Sequence, residues 1–375
     1  MEKPKLIFIA LTINHHSLYL SMINFLNKLD YDITLLTLKD NTFFLNYPTI
    51  NENIKVKFES GESSEILKKN KEFINLFEVL IIDEFYGKII NLYQLKFKNK
   101  TKICIVHNVN KWVSNKLMVN PIHIITYYIK KMYFNQFDSY ITMGPNIKSY
   151  LAEFTSKKVF FFSFDILSNK INNKNIIDSR DVTIVIPGTV SAERRNNLEF
   201  FIFLKNYFSN NPNSNIKIKL LGKMPLTRDN EPLRFLITQI NETFGKRVSY
   251  WNEFIPPEDF EHEILTSDLI LSNLNVINNF DDRIEIYGLS KESGISFVIY
   301  KYAKPAIIPH NQHVLVGFEN QLIPYYSYKQ LQNIFIRIEN GDISLKQLNN
   351  NALKNSLHFN DLINQENQII EKYLK

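Results

Sequence analysis

Cysteine and glycine are scarce in this chain, with one cysteine and 10 glycines among 375 residues. The single cysteine, Cys104, excludes a disulfide framework, and its place in the apolar run 103–106 predicts a core residue in a reducing compartment. No run approaches the roughly 18 apolar residues that span a bilayer, and the apolar stretch 6–12 is too short for a secretory signal. We therefore expect a cytoplasmic protein, either free or at the inner face of the membrane.

Sequence motifs of several common enzyme classes are also missing. The chain has no GxGxxG, no P-loop GxxxxGK[ST], no GxSxG, no HExxH and no paired CxxC. Their absence argues against dehydrogenases, kinases, serine hydrolases and zinc enzymes. The pair Asp281-Asp282 lies in a polar stretch late in the chain and is interpreted as surface. We therefore predict no metal and no cofactor.

Positive charge is concentrated in the first half of the chain. Residues 1–175 contain 23 Lys, no Arg and 15 acidic residues, a balance of +8, so the other 200 residues carry −2 of the total +6. Within that half, residues 85–137 contain nine lysines and no acidic residue. The aromatic side chains of this block include Trp112, Tyr127, Tyr128, Tyr133 and Phe134. The block favours an anionic lipid or glycan partner, with a solvated lysine face as the alternative, and no nucleic-acid module accompanies it.

Short apolar runs alternate with helical stretches along the whole chain, which predicts parallel sheets of the doubly wound α/β class. The stretch 168–180 is rich in Asn, Lys and Ser and has the composition of a linker. We predict two Rossmann-like domains facing each other across a cleft, at 1–170 and 181–350. The last segment, 351–375, is predicted as a helix that packs back on the first domain.

Glycine and basic residues follow two predicted strands of the second domain, and a helix start lies further along. That helix start leaves free N–H groups and a positive dipole end. Because parallel strands end at one edge of a sheet, we predict that these segments bind a diphosphate together, with helix capping or an ordinary core helix as the alternative. The predicted donor-binding residues are Gly188, Thr189, Arg194, Arg195, Gly222, Lys223, Ser293 and Gly294.

Histidines mark two loops at strand ends of the first domain. His107 and Asn108 end one strand, and His15 with His16 lies in the loop after the first strand. Since ligands bind at the carboxyl edge of a parallel sheet, we predict His107 as catalytic and the other three as acceptor contacts. Structural roles, such as helix capping by the histidine pair, are the alternative. Asp83-Glu84 ends another strand and is interpreted as a solvated strand end, with binding of an acceptor hydroxyl as the alternative.

The second half resembles the GT-B glycosyltransferases, in particular their family 4-like, nucleotide-sugar-dependent members. That family carries an E-x7-E element followed by G-x-P-V-I. Here Glu292-Ser-Gly-Ile-Ser-Phe-Val-Ile-Tyr300 is followed by Ala303-Lys-Pro-Ala-Ile-Ile308. The stretches 248–260 and 267–273 are similar to the family segments that precede this element. The resemblance is architectural over nearly the whole chain and sequence-level mainly in the second half.

The resemblance implies roles for particular residues. Glu292 matches the family's first Glu, near the donor sugar, and His107 matches a His beside the transferred sugar, so the resemblance implies that both are catalytic. Tyr300, which we predict as a further donor-binding residue, stands where a second Glu usually holds the ribose hydroxyls. Asn14-His-His-Ser17 replaces a Gly-Gly pair. The implied reaction is metal-independent sugar transfer from a nucleotide-diphosphate sugar to a hydroxyl of a glycan or lipid-linked glycan, as in bacterial surface polysaccharide synthesis, with retention of configuration. A degenerate non-catalytic subunit and a UDP-sugar epimerase of the same fold are the alternatives.

Overall fold

The computed structural model describes a chain folded into two α/β lobes, each built on a parallel sheet. It describes residues 2–13, 15–41, 44, 54–84, 88–113, 121–163, 181–190, 195–224, 226–280 and 283–375. The predicted doubly wound α/β class with two Rossmann-like sheets is confirmed. The predicted linker, 168–180, lies outside the described residues, and the domain boundaries remain predictions.

The sheet of the first lobe has seven parallel strands in the order β3-β2-β1-β4-β5-β6-β7. Its strands are β1 Lys5–Ala10, β2 Asp32–Leu38, β3 Ile54–Glu59, β4 Val79–Ile82, β5 Thr101–Val106, β6 Ser139–Thr142 and β7 Lys158–Phe161. Alternate side chains of β1 enter two cores, with Leu6 and Phe8 on one face and Ile7 and Ile9 on the other. Burial on both faces explains why such strands are nearly continuous apolar runs.

Helices cover both faces of this sheet. They are α1 His16–Leu26, α2 Ser63–Lys69, α3 Lys71–Ile74, α4 Ile89–Tyr93, α5 Asn110–Val113, α6 Pro121–Asn135 and α7 Pro145–Ala152. α1 follows the first strand and α5 follows β5, so both begin at the carboxyl edge of the sheet. Helix α7 starts at Pro145, whose fixed φ and missing N–H suit a first helical position, and this places Gly144 at the same edge.

The sheet of the second lobe has six strands in the order β10-β9-β8-β11-β14-β15. They are β8 Val182–Pro187, β9 Ile216–Lys223, β10 Val248–Trp251, β11 Leu269–Leu271, β14 Ala306–Pro309 and β15 Leu322–Tyr325. The helices are α8 Asn197–Asn210, α9 Glu231–Phe244, α10 Pro257–Thr266, α11 Gly294–Lys301 and α12 Tyr328–Glu339. An aromatic core under α8, with Phe200 and Phe208 among its members, buries one face of the sheet.

An antiparallel hairpin is inserted between β11 and α11. It consists of β12 Ile277–Phe280 and β13 Arg283–Ile286, and it pairs with neither parallel sheet. No strand is predicted there from the sequence, because Asn278 and Asn279 are poor strand formers. The hairpin therefore adds a projection to the second lobe at its cleft edge.

The C-terminal helix α13, Leu345–Leu374, ends on the first lobe. Lys148 Nζ on α7 lies 2.7 Å from Glu366 Oε1, and Ile370 and Leu374 belong to the first-lobe core. None of the helices within the described ranges combines the length and apolarity that a membrane span requires.

Candidate active site

Two carboxylates that follow β4, Asp83 and Glu84, are almost completely buried, with exposed fractions of 1% and 4%. The interpretation of this pair as a solvated strand end is therefore wrong. Burying a carboxylate is unfavourable unless charged or hydrogen-bonding groups compensate it. The partners of these two side chains therefore define the first-lobe half of the site.

Asp83 accepts hydrogen bonds from side chains of three segments. His107 Nε2, just beyond β5, lies 2.6 Å from Oδ1. The Tyr19 hydroxyl on α1 lies 2.5 Å from Oδ2, and His15 Nδ1 lies 3.3 Å from the same oxygen. Thr12 Oγ1 donates at 3.5 Å. The carboxylate thus brings together His15 and His107, both predicted from the sequence. It also binds Tyr19, which is not predicted as a site residue because the sequence shows only that it lies in the first turn of a helix.

The charges of this cluster support each other. Burial alone would raise the pKa of the Asp83 carboxyl, but His107 and His15 outweigh it and hold that pKa well below its usual range. Burial would likewise lower the pKa of His107, but the negative charges of Asp83 and Glu84 raise it above its ordinary value. Because one ring nitrogen of each imidazole points at Asp83, the other nitrogen of each ring is directed away from it. The site presents two imidazoles of fixed orientation.

The same three side chains offer ligand atoms that all lie within 4.8 Å of one another, which makes them a candidate metal group. Their geometry fits hydrogen bonding better than coordination. His107 Nε2 and His15 Nδ1 lie 2.6 and 3.3 Å from the Asp83 oxygens, which are hydrogen-bond distances, and the two rings have centroids 3.9 Å apart with planes inclined by 30°. The prediction of no metal remains a prediction.

Glu84 fixes the loop that carries His107. Its Oε2 accepts the backbone N–H groups of His107 at 2.8 Å and Asn108 at 3.1 Å. The Lys111 ammonium lies 2.7 Å from Oε1. Burial would raise the pKa of Glu84, but Lys111 and His107 together lower it below its ordinary value. An ionised Glu84 therefore holds this loop rigidly against the end of β4.

Glu292 is the half-buried carboxylate of the second-lobe half. Its Oε2 lies 2.8 Å from where a Cβ on Gly144 would be, so any larger residue at 144 would displace the carboxylate. Burial raises the pKa of Glu292 to about 7, although the Ser293 N–H and the Ser296 hydroxyl act in the opposite direction. Near neutral pH the group can therefore either donate or accept a hydrogen bond, which suits recognition of sugar hydroxyls.

Helix α11 begins at Gly294, two residues after Glu292. This is the helix start that the sequence predicts at Ser293-Gly294. Ser293 is its N-cap, and its Oγ accepts the Ser296 N–H at 3.4 Å. A Cβ on Gly294 would meet nothing within 4 Å, so the space beside the first turn is open. First-turn N–H groups lack acceptors within a helix, so this start can receive an anion.

The two glycine loops of the second lobe meet at the sheet edge. A Cβ on Gly222 would lie 2.1 Å from the Gly188 carbonyl oxygen. The Arg195 guanidinium is buried between the strand ends, where it donates to the Pro187 carbonyl and, at 3.1 Å, to Asn273 Oδ1. The structure therefore assigns Arg195 a bridging contact within the lobe, and its contact with a diphosphate stays a prediction.

Lys223 ends β9 at that edge. Its Nζ lies 2.9 Å from Glu253 Oε2 and 5.4 Å from the ring centroid of Phe254. Both neighbours are largely exposed, so a surface ion pair of this kind is weak and leaves the lysine available to a ligand.

The other predicted site residues have different surroundings. Arg194 and the side chain of His16 lie outside the described residues. Thr189 is exposed beside Gly188. Tyr300, in place of the family's ribose-holding Glu, is buried against Phe359, with ring centroids 4.7 Å apart.

The lobes join directly beside the predicted catalytic residues. Asn108 and Lys291 form an antiparallel bridge, and the Val109 N–H donates to the Ser290 carbonyl at 2.9 Å. In antiparallel pairing, the residue before one partner lies opposite the residue after the other. His107 thus lies opposite Glu292 along the backbone. Two residues predicted from separate halves of the sequence come together at one place.

Comparison with known proteins gives structural likeness without sequence likeness. No protein-family model matches the chain, and no curated protein matches it. A glycosyltransferase from Rickettsia africae superposes with a TM-score of 0.66 at 12% identity, covering 100% of this chain and 99% of that one. HepE from Anabaena, in complex with UDP, gives 0.63 at 13% identity and covers 99% of both chains. An α,α-trehalose-phosphate synthase (UDP-forming) from Burkholderia vietnamiensis gives 0.62 at 9% identity, covering 99% of this chain and 97% of that one.

The architecture is that of the GT-B glycosyltransferases, as the sequence resemblance implies. At such low identities the likeness establishes the fold, and function must be argued from the site.

Proposed function

We propose that the protein is a glycosyltransferase that moves a sugar from a nucleotide-diphosphate sugar to an acceptor hydroxyl. The observation that carries this proposal is the bridge between Asn108 and Lys291, which brings their neighbours His107 and Glu292 to one place beside the open start of α11. A sugar held between these two side chains would have its diphosphate at the helix start. Proteins of the same fold bind such groups, since the Anabaena protein holds UDP and, in a second structure, UDP with glucose.

The proposed chemistry places charge on the departing diphosphate. The bond between the anomeric carbon and the diphosphate oxygen breaks, a bond to the acceptor oxygen forms, and the acceptor's proton passes to the departing diphosphate. The α11 N–H groups at Ser293-Gly294, with Lys223 and Arg194, would stabilise that diphosphate in place of a metal ion. Glu292 and His107 would hydrogen-bond the sugar. We take transfer to retain configuration, as the family resemblance implies.

The acceptor would enter from the first lobe. His15 is anchored by Asp83 at that side, and His16 is its proposed companion. Asn108, also predicted as an acceptor contact, has its amide bonded to Glu285 instead, so we do not include it in the acceptor site. We propose an acceptor hydroxyl on a glycan or lipid-linked glycan, of the kind used in surface polysaccharide synthesis. The fixed orientation of the His15 ring suits it to receive a hydroxyl hydrogen bond.

A membrane contact through the lysine-rich first lobe belongs to the same proposal. Three aromatics of this block, Trp112, Tyr133 and Phe134, are buried in the core, so they are not part of a lipid-facing surface. The exposed apolar face lies on α6 instead, where the residues exposed by at least 42% are Ile124, Ile125, Tyr128 and Met132. Flanking lysines without acidic neighbours favour anionic lipid. We expect Tyr128→Glu to reduce co-sedimentation with anionic vesicles, whereas Phe235→Glu, at an exposed site on the second lobe, leaves it unchanged.

The direct test of the donor site is a thermal shift with UDP-, GDP-, dTDP- and CMP-sugars. We expect at least one to raise the Tm, and Lys223→Ala to weaken that shift. Lys217→Ala is the matched control, because Lys217 lies at the other end of β9 and pairs with Asp181 at 2.7 Å. Equal loss in both variants, or no shift with any nucleotide sugar, would contradict the proposed donor site.

A further inference from the structure

The inserted hairpin and the loop after β5 form a junction between the lobes, which we call the clasp. It consists of residues 108–110 of the first lobe and 284–291 of the second. Asn108 Nδ2 donates to Glu285 Oε1 at 2.7 Å, and Asn110 Nδ2 donates to the Ile284 carbonyl at 2.7 Å. With the Val109 N–H on the Ser290 carbonyl, three successive first-lobe residues bond to the second lobe. Three hydrogen bonds from successive residues favour one relative position of the loop after β5 and the segment 284–291.

Each side of the clasp is anchored within its own lobe. On the first-lobe side, Glu84 binds the Asn108 N–H and the Tyr150 hydroxyl donates to Asn110 Oδ1 at 3.0 Å. On the second-lobe side, the Lys291 ammonium lies 3.0 and 2.9 Å from the two oxygens of Glu285. Glu285 is only 5% exposed, so its charge requires these partners. The clasp therefore joins two rigid edges.

The clasp is continuous with the proposed catalytic residues. Its first-lobe segment begins immediately after His107, and its second-lobe segment ends immediately before Glu292. A shift of either segment by a fraction of an ångström would change the spacing of these two side chains. Small displacements of this kind reduce rates strongly, by about 100-fold for roughly 1 Å.

We propose that Asn108 and Glu285 are positioning residues, which hold the lobes in the register that sets the spacing between His107 and Glu292. The expected effect on kcat rests on the proposed function. The relative position of the two lobes does not, and it can be measured without activity. Asn108→Ala removes the side-chain bond between the lobes and leaves Glu285 paired with Lys291, so no buried charge loses its partner. Glu285→Gln keeps an acceptor oxygen for Asn108 and removes the charge.

Two readouts test the clasp. With an accepted donor, we expect Asn108→Ala to lower kcat about 10-fold to 100-fold with little change in the donor KM, and Glu285→Gln to retain most of the rate. Asn278→Ala is the matched control, since this amide lies directly across the hairpin from Glu285 but its own side-chain bond stays within the second lobe, to the Asn275 carbonyl. A rise in KM with kcat unchanged in Asn108→Ala would overturn the proposal.

The second readout needs no activity. Leu76 and Phe235 are exposed on different lobes, so cysteines at these positions carry a pair of distance labels, while native Cys104 is buried. We expect a single narrow label distance in the wild type and in Asn278→Ala, and a broader one in Asn108→Ala, with Glu285→Gln close to wild type. Identical distance distributions in Asn108→Ala and wild type would refute the clasp. If no nucleotide sugar is turned over but the distances broaden, the clasp stands and the proposed function fails.

Discussion

The carboxyl of Glu292 should make the stability of this protein depend on pH near neutrality. Burial raises its pKa from 4.5 to about 7. The folded state therefore holds a proton that the unfolded chain releases between these pH values, so stability falls as pH rises from about 4.5 through 7. At about 1.4 kcal/mol per pKa unit, ionisation of Glu292 lowers the free energy of unfolding by up to about 3 kcal/mol at pH 8. Glu292→Gln has the same shape and cannot ionise.

We therefore expect Glu292→Gln to be more stable than the wild type by an amount that grows with pH. The difference should be small at pH 5 and approach about 3 kcal/mol at pH 8. Urea unfolding of both proteins at several pH values measures it, and subtracting the two curves cancels every other titrating group. A difference that stays constant between pH 5 and 8 would refute the assignment of a raised pKa to Glu292.

Two further predictions concern the charge beside His107 and the contact between the two glycine loops. Asp83→Asn removes the negative charge that raises the pKa of His107 against the effect of burial, so that pKa should fall. NMR of the imidazole protons measures it, and kcat should fall about 100-fold. An unchanged His107 titration would contradict the pairing. Gly222→Ala should destabilise the second lobe by about 1–3 kcal/mol in urea unfolding, because its Cβ would lie 2.1 Å from the Gly188 oxygen. Gly294→Ala, with open space around its Cβ, is the control, and equal effects of the two changes would contradict this reasoning.

The parallel sheets follow from local sequence patterns. β1 and β8 are buried on both faces, and their apolar runs predict them directly. β3 is different, because its sequence IKVKFE alternates apolar residues with lysine, the pattern of a strand with one exposed face and not of a run buried on both faces. Its place at the sheet edge is known only from its pairing with β2 along the whole length.

The candidate site was predictable only in part. His107 is predicted from its place at a strand end, and Glu292 from the family resemblance. Asp83 is not, because its burial depends on Tyr19 and His107, which approach it only once three strands have assembled. The same holds for the clasp, where Asn108 and Glu285 are 177 positions apart in the sequence. Pairing of this kind is a property of the tertiary fold, and no local pattern encodes it.

Release of nucleoside diphosphate from nucleotide sugars tests the central claim most directly. We expect the wild type to hydrolyse at least one donor slowly in the absence of acceptor. His107→Ala and Glu292→Ala should lower that rate by about 100-fold or more, while Asn278→Ala keeps it. A wild-type protein that binds nucleotide sugars but releases no diphosphate, with or without glycan acceptors, would contradict the transferase assignment and support a non-catalytic binding subunit.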